Sequence, residues 1–529
     1  MATSLANPAT SSLPHESQSE QQTPRHAWIW RWLFPGLGVV SLLLSCALWS
    51  LKRQMWGDEV FTHIELSDPS WRHLLSAVTR LGGAGMPLFY LTAWPWAQLF
   101  GLSDLSLRLY SSAGVCGAFL VMLVTLRRLF APSSAFLGAA FGLFASLIVV
   151  EQNSEARGYG LYLFLCALAI AQLVKVAQTA RPTRRDLVLL AVTQAGLVLG
   201  HVLGIIYAGL LLLALLVADA VQRRFRPRLY LWAIAGWLAL IPWIPAIRAS
   251  AAVGRPHGWI PVPTLADLGS SLSLWLFTGL YWQITVHPPA ALIVAGWFCA
   301  IAVVIILVIT AAWSFSTASA EHRLLCLLGL FLVAAPVFLY LVSVTITPVL
   351  LPRYLLPSAL GVAILAAGWA ERMRAGKGIR GFVLSGIVLL LPIAAAVLAH
   401  PEGLSVSRVD AIANGRPVVC DSLKDFLVMT RYSAHPSLPE YPLDWPTALA
   451  SPPGTTADVR LMQNYRREGY LTGQLLDPAA ILSQPSFLVL NNRDASWFHV
   501  AIENNPHYSW TTVAQVDELR RVVLVQRRP

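Results

Sequence analysis

The sequence predicts a polytopic α-helical membrane protein of about 11 transmembrane helices, with interfacial helices in the first outer loop and a small C-terminal α/β domain. Three observations predict it. Hydrophobic residues make up 56% of the 529-residue chain and charged residues 12%, where a soluble domain carries about 25% charged residues. With a mean hydropathy of +0.60, so much apolar surface does not fit one aqueous core, and lipid is its natural solvent. Apolar runs long enough to cross a hydrocarbon layer recur along most of the chain. The Lys and Arg residues behind the net charge of +11 fall in short clusters between those runs, not on one basic face, which argues against a nucleic-acid partner.

Residues 1–27, rich in Ser, Gln, Pro and Thr, cannot bury a core and read as a disordered cytoplasmic tail. The first apolar run, 32–51, follows Arg25 and Arg31 and is too long for a signal-peptide core, so it is expected to stay as a first helix. Further runs lie at roughly 106–126, 133–150, 158–178, 186–201, 202–221, 229–249, 290–311, 324–346, 353–371 and 381–399. Arg127 and Arg128, Arg181 with Arg184 and Arg185, Arg223 to Arg228, then Arg372, Arg374, Lys377 and Arg380 occupy alternate short loops. With the N-terminus inside, all of these loops are cytoplasmic, as the positive-inside rule requires. The 20 Trp residues, many near run ends, fit an aromatic interfacial belt.

Residues 28–400 therefore form a membrane domain of the inner (plasma) membrane, and 401–529 a soluble domain on its outer, periplasmic face. In that last stretch charges return, and Pro417–Cys420, Phe487–Leu490 and Val522–Val525 look like strands among helical stretches. The six cysteines show neither metal-ligand spacing nor a disulfide framework.

The chemistry is expected on the outer face. Its first loop opens Trp56-Gly57-Asp58-Glu59, two adjacent carboxylates directly after a spanning run. In an extended segment they would point to opposite sides, one facing a substrate and the other bracing it; an ordinary solvated acid pair has the same spacing. The amphipathic stretch Pro69–Leu75 and the Pro-broken segments Met86–Tyr90 and Trp94–Trp96 are too short to span and read as interfacial helices. The second outer turn, Glu155-Ala156-Arg157-Gly158-Tyr159, brings an acid, an Arg and a Tyr to one helix start. There Arg157 either meets a ligand, snorkels or pairs with Glu155. His201 follows Gly200 between two runs, a setting in which a packed histidine is commoner than a catalytic one. Arg353 and Tyr354, after Pro352, suit an anionic phosphate. His257 and His287 in the long outer loop are weaker candidates.

Taken in order, Gly57-Asp58-Glu59, Pro87-Leu88-Phe89-Tyr90 with Leu107-Arg108-Leu109, Glu155-Ala156-Arg157-Gly158-Tyr159, Gly200-His201 and Pro352-Arg353-Tyr354-Leu355-Leu356-Pro357 resemble the GT-C superfamily of membrane glycosyltransferases. Within it the chain looks most like glycosyltransferase family 39 and the RgtA/B/C/D-like group, kin to protein mannosyltransferases and the lipid A aminoarabinose transferase. The resemblance covers roughly residues 30–400 and rests on order and spacing, since no single motif is specific. It implies a polyprenyl-phosphate sugar donor and a glycan, lipid or protein acceptor. Asp58 is then the base, Glu59 assists it or holds a cation, and Glu155 is a second acid near the acceptor. Arg157, Tyr159, His201, Arg353 and Tyr354 bind substrate. Many relatives carry His-Pro-Pro where this chain has Gly85-Met86-Pro87, which leaves a divalent-cation cofactor open, with His63 and His73 as stand-ins. The absence of a nucleotide fingerprint agrees with a lipid-linked donor. A transporter or flippase of lipid-linked sugars is the alternative; it would favour repeated halves around a midplane site, and the chain shows no internal repeat.

Overall fold

The computed structural model describes residues 28–83, 85–255, 258, 260–275, 290–317, 319–399, 403–450, 456–492 and 496–528. The expected tail at 1–27, His257 and His287 lie outside them. Each of the eleven apolar runs is helical over most of its length. Among the described residues, seven helices have the length and apolarity to cross a membrane, or up to nine if each of two bent pairs is one span. The remaining two, Arg184–Gly200 and Ser358–Arg372, have 17 and 15 residues. At a 1.5 Å rise the second is about 22 Å long, short of a hydrocarbon core of about 30 Å. The expected eleven is thus a count of apolar runs. The breaks fall where His201 separates two helices and where Pro352 and Pro357 open the run after it.

The bundle is held together where side chains are absent. A Cβ on Gly160 would lie 1.9 Å from the Ser111 carbonyl oxygen, and one on Gly114 2.3 Å from the Gly160 carbonyl carbon. The Asp104–Leu126 and Tyr159–Gln178 helices therefore meet backbone to backbone, the close approach that small residues permit in lipid. Pro132–Phe144 and Leu147–Asn153 bend by 75° at their junction. The polar groups freed there are taken up locally: Ser111 donates to the Gln152 carbonyl at 2.8 Å, Ser112 to Asn153 at 2.9 Å, and Asn153 to the Leu42 carbonyl at 3.0 Å. These contacts fix the turn at Glu155 and Arg157 against the first helix.

The basic loops gather at one end of the bundle. Arg127 donates to the Trp30 and Arg31 carbonyls, the Ala131 amide to Glu371 at 3.0 Å, and Arg226 to the Ala177 carbonyl at 2.8 Å. The starts of the Asp104–Leu126 and Tyr159–Gln178 helices lie at the other end, with the acids.

That other end carries three short helices, Gly57–Leu66, Trp71–Leu81 and Pro87–Phe100, where interfacial helices were expected. The C-terminal residues fold on top of them. Six strands, β1 (Val418–Cys420), β2 (Pro439–Pro442), β3 (Leu475–Leu476), β4 (Ser486–Asn492), β5 (Tyr508–Gln515) and β6 (Arg520–Arg527), form one sheet in the order β3-β2-β1-β4-β6-β5. The first four in that order are parallel and the last two antiparallel. β1, β4 and β6 coincide with the three expected strands. One apolar cluster joins these helices to the C-terminal residues, with Val60, Phe61, Leu74 and Tyr90 packed together with Phe426, Leu427, Met462 and Tyr465. Polar clamps surround it. Glu65 accepts from Tyr465 at 2.5 Å and from Tyr90 at 2.8 Å; burial pushes its carboxyl above the usual range, while the two hydroxyls hold it down. Arg431 and Tyr432 both reach Asp104.

Candidate active site

Asp58 and Glu59 do not lie in an extended segment. They occupy the first turn of the Gly57–Leu66 helix, where carboxylates complement the positive end of the helix. Successive helical residues are turned by about 100°, so the two side chains still diverge.

Glu59 turns inward. It is 1% exposed and receives Arg108 bidentately, Nε to Oε1 and Nη2 to Oε2, both at 2.8 Å. The Ala156 amide donates to Oε1 at 2.7 Å and the Trp56 amide to Oε2 at 3.3 Å. Arg108 also donates to the Arg53 and Gln54 carbonyls, from Nη1 and Nη2. This corrects the expectation that Glu59 assists the base or holds a cation: both its oxygens are already engaged. Glu59 instead ties the first outer helix to the turn that carries Glu155 and Arg157.

Asp58 turns outward and has room. Its carboxylate is 28% exposed and lies 3.4 Å from Arg353 Nη2, whose own side chain is 19% exposed. Arg353 comes from the turn Pro352–Leu355 and stacks its guanidinium over Trp56 at 5.3 Å. Arg157 enters from the second outer turn; its Nη1 donates to the Asp58 carbonyl at 3.1 Å and to Thr62 Oγ1 at 3.3 Å. It neither snorkels nor pairs with Glu155. Its Nε and Nη2 make no hydrogen bond among the described residues and can meet an anion.

Glu155 belongs to the same cluster. Its Oε2 is buried without a hydrogen-bond partner among the described residues. Burial, with the neighbouring Glu59 charge, pushes its carboxyl up to about 8 against the pull of Arg353, so it is protonated at neutral pH. His201 stacks on Tyr162 at 4.4 Å and meets Tyr159 and Tyr354 at 5.5 and 5.4 Å between ring centroids. Its Nδ1 accepts the Leu203 amide at 3.2 Å. Enclosed by these three tyrosine rings, the imidazole lines the site. The Tyr354 carbonyl accepts from Tyr207 at 3.0 Å, which pins the Arg353 turn.

Neither stand-in histidine reaches this cluster. His73 is paired with Asp68, and burial, with the Arg431 charge, pushes His63 down to about 4. Among the described residues no group of three or more His, Cys, Asp and Glu could hold a metal ion, and the Asp58 surroundings are cationic. The donor set does not fit a divalent cation. Arg108, though noted within a motif, showed no role in the sequence, because its partner lies 49 residues away; a lone Arg at the start of an apolar run is the signal that points to it.

A helical bundle with short helices, acids and arginines at one end, and a sheet seated above them, is an architecture shared with a solved membrane-protein structure. More particularly, the chain is similar to the crystal structure of ArnT from Cupriavidus metallidurans bound to undecaprenyl phosphate. The TM-score is 0.54 at 16% identity, covering 94% of this chain and 98% of that chain. The apo structure of ArnT from Cupriavidus metallidurans also matches, with a TM-score of 0.46 at 16% identity, over 94% and 97% of the two chains; the fold assignment uses the first alone. No family model matches the sequence, and no curated protein does.

Proposed function

We propose that the protein transfers a glycosyl group from a polyprenyl-phosphate-linked sugar to a glycan, lipid or protein acceptor at the outer face of the inner membrane. In this reading residues 28–400 are the catalytic membrane domain, the N-terminus is cytoplasmic and residues 401–529 are periplasmic. One observation carries it: Asp58, Arg157 and Arg353, drawn from three separate outer turns, converge at one end of the bundle. The undecaprenyl phosphate in the similarly folded ArnT supports a lipid phosphate as the ligand of the two arginines.

The donor phosphate takes up the idle Arg157 donors and draws Arg353 toward itself, which leaves the Asp58 carboxylate free for a proton. An acceptor hydroxyl gives that proton to Asp58 as its oxygen bonds to the anomeric carbon. The bond from that carbon to the phosphate oxygen breaks, and its electron pair leaves with the polyprenyl phosphate. Arg157 and Arg353 meet the charge that develops there. Glu155, neutral near pH 7, donates a hydrogen bond, while Tyr159, His201 and Tyr354 wall the site. A single displacement of this kind inverts the anomeric centre. Glu59, through Arg108, positions Asp58.

The test is turnover of a polyprenyl-phosphate sugar by the purified protein in detergent or nanodiscs. Asp58→Asn is expected to lower turnover by roughly 10²–10⁴-fold with its melting temperature unchanged. Full activity in that variant would remove Asp58 as the base. Movement of sugar-lipid across proteoliposomes without a glycosylated product would favour the flippase instead.

A further inference from the structure

The bundle supplies every group of the reaction assigned above, yet part of the wall beside Asp58 comes from the C-terminal domain. A Cβ on Gly57 would lie 3.6 Å from Leu427 Cδ1, 3.7 Å from Lys424 Cγ and 3.8 Å from Lys424 Cα. The first turn of the Leu423–Tyr432 helix thus rests on the residue before Asp58. On that helix Lys424, Leu427 and Arg431 share one face, the i, i+3, i+7 stripe, and Arg431 reaches Asp104 on the bundle. Lys424 faces the same way. It is exposed and makes no hydrogen bond or ion pair among the described residues, whereas Arg431, Asp425 and Arg520 around it are all paired.

A second charge arrives from the Ala457–Arg467 helix. Its Tyr465 touches the Asp58 helix through Glu65 at 2.5 Å and through Phe61 at 4.9 Å between ring centroids. Asp458 is seven residues earlier, two turns along the same face, and so projects toward the start of the Asp58 helix. Its electrostatics agree: burial pushes its carboxyl up to about 6, Lys424 draws it back and Asp58 raises it. Lys424, against Gly57, and Asp458, two turns before Tyr465, thus flank the Asp58 helix from two elements of the C-terminal part, within electrostatic range of one another. The Thr456 hydroxyl beside them is buried without a hydrogen-bond partner among the described residues.

We infer that Lys424 and Asp458 bind the acceptor, and that the acceptor is a glycan whose hydroxyl groups they hold beside Asp58. An ammonium and a carboxylate together offer donors and acceptors with little net charge, which suits neighbouring sugar hydroxyls. With Arg157 and Arg353 taken up by the donor phosphate, an anionic acceptor would meet both Asp58 and Asp458 against Lys424 alone. The membrane half then grips the donor and the C-terminal domain chooses what receives the sugar. This inference rests on the transferase reading above.

Two measurements separate them. Wild-type protein with a polyprenyl-phosphate hexose is first followed for donor hydrolysis, with water as acceptor, and then for transfer to neutral oligosaccharides, a phosphorylated glycolipid and a Ser/Thr peptide. No cleavage of the donor under any condition removes the transferase reading itself. Cleavage with transfer only to the glycolipid or the peptide overturns the inference and leaves the transferase reading standing. Transfer to oligosaccharides supports it, and Lys424→Ala and Asp458→Asn are then expected to raise the oligosaccharide KM about tenfold, the loss of about one polar contact, with the donor KM within about twofold. Lys424→Arg should recover most of the Lys424→Ala loss, which a purely structural lysine would not require. An unchanged oligosaccharide KM in both variants, or an equal rise in donor KM, overturns the assignment.

Discussion

Two adjacent carboxylates in one helical turn form two different ion pairs. Glu59 and Arg108 are 1% and 2% exposed in their side chains and meet bidentately at 2.8 Å. Asp58 and Arg353 are 28% and 19% exposed and meet through one contact of 3.4 Å. The first pair is buried and hydrogen-bonded at both carboxylate oxygens, and the second is partly exposed and meets at a longer distance. Burial and dense hydrogen bonding make a brace; partial exposure and a long contact leave a carboxylate and a cation that a ligand can part. The proposed chemistry uses the looser pair, and the tighter one holds it in position.

Breaking the brace should have the largest effect on folding. Arg108→Met strands the buried Glu59 carboxylate and is expected to cost about 3–5 kcal/mol, read as a fall in the thermal or denaturant midpoint in detergent. Combining it with Glu59→Gln should recover part of that loss, because the uncompensated charge is gone; a double variant as unstable as the single would mean that the carbonyl contacts of Arg108, not the ion pair, dominate. Breaking the looser pair should move binding instead. Arg353→Ala is expected to weaken polyprenyl-phosphate affinity by about 1.5–3 kcal/mol, a charge-assisted contact, with little change in stability. An unchanged affinity would take Arg353 out of the phosphate site.

The smallest effect sharpens the comparison through pH. Glu155 has its folded carboxyl raised to about 8 from 4.5. Between those values the folded chain keeps a proton that the unfolded chain has released, so the contribution of Glu155 to stability is full below about 4.5 and is lost as pH rises toward 8. Glu155→Gln keeps a neutral side chain at every pH. The variant should therefore gain melting temperature relative to wild type at pH 8.5 and show little gain at pH 4.5; an equal offset at both would mean that Glu155 is already ionised at neutral pH in the folded protein.

Much of this was legible in the chain because its signal is local. A stretch such as 381–399 or 106–126 declares itself by its own hydropathy, and the clusters at Arg127 or Arg372 declare which ends lie together. Asp58, Glu155, Arg157, Tyr159, His201, Arg353 and Tyr354 stood out as polar residues at the ends of apolar runs, and all of them converge. The helical start at Gly57 was missed although its signal was present: two acids ahead of Val60, Phe61 and Leu66 mark a first turn as well as they mark a loop. The division of labour between Asp58 and Glu59 had no such signal, because it depends on Arg108. Nor did Lys424 and Asp458, which approach Asp58 only after the sheet domain has docked.

Hydropathy and the distribution of basic residues, each summed over a few turns of chain, were enough by themselves to determine a bundle of apolar helices and the end of it that carries the acids, and the return of charge after residue 400 pointed to a small C-terminal sheet. Which acid is free and which is spent, how far the apolar runs go as single rods, and what the C-terminal domain brings to Asp58 were decided only by tertiary structure. The physical reason is range: lipid solvation is a property of each segment, while hydrogen-bond saturation of a carboxylate depends on partners tens to hundreds of residues away.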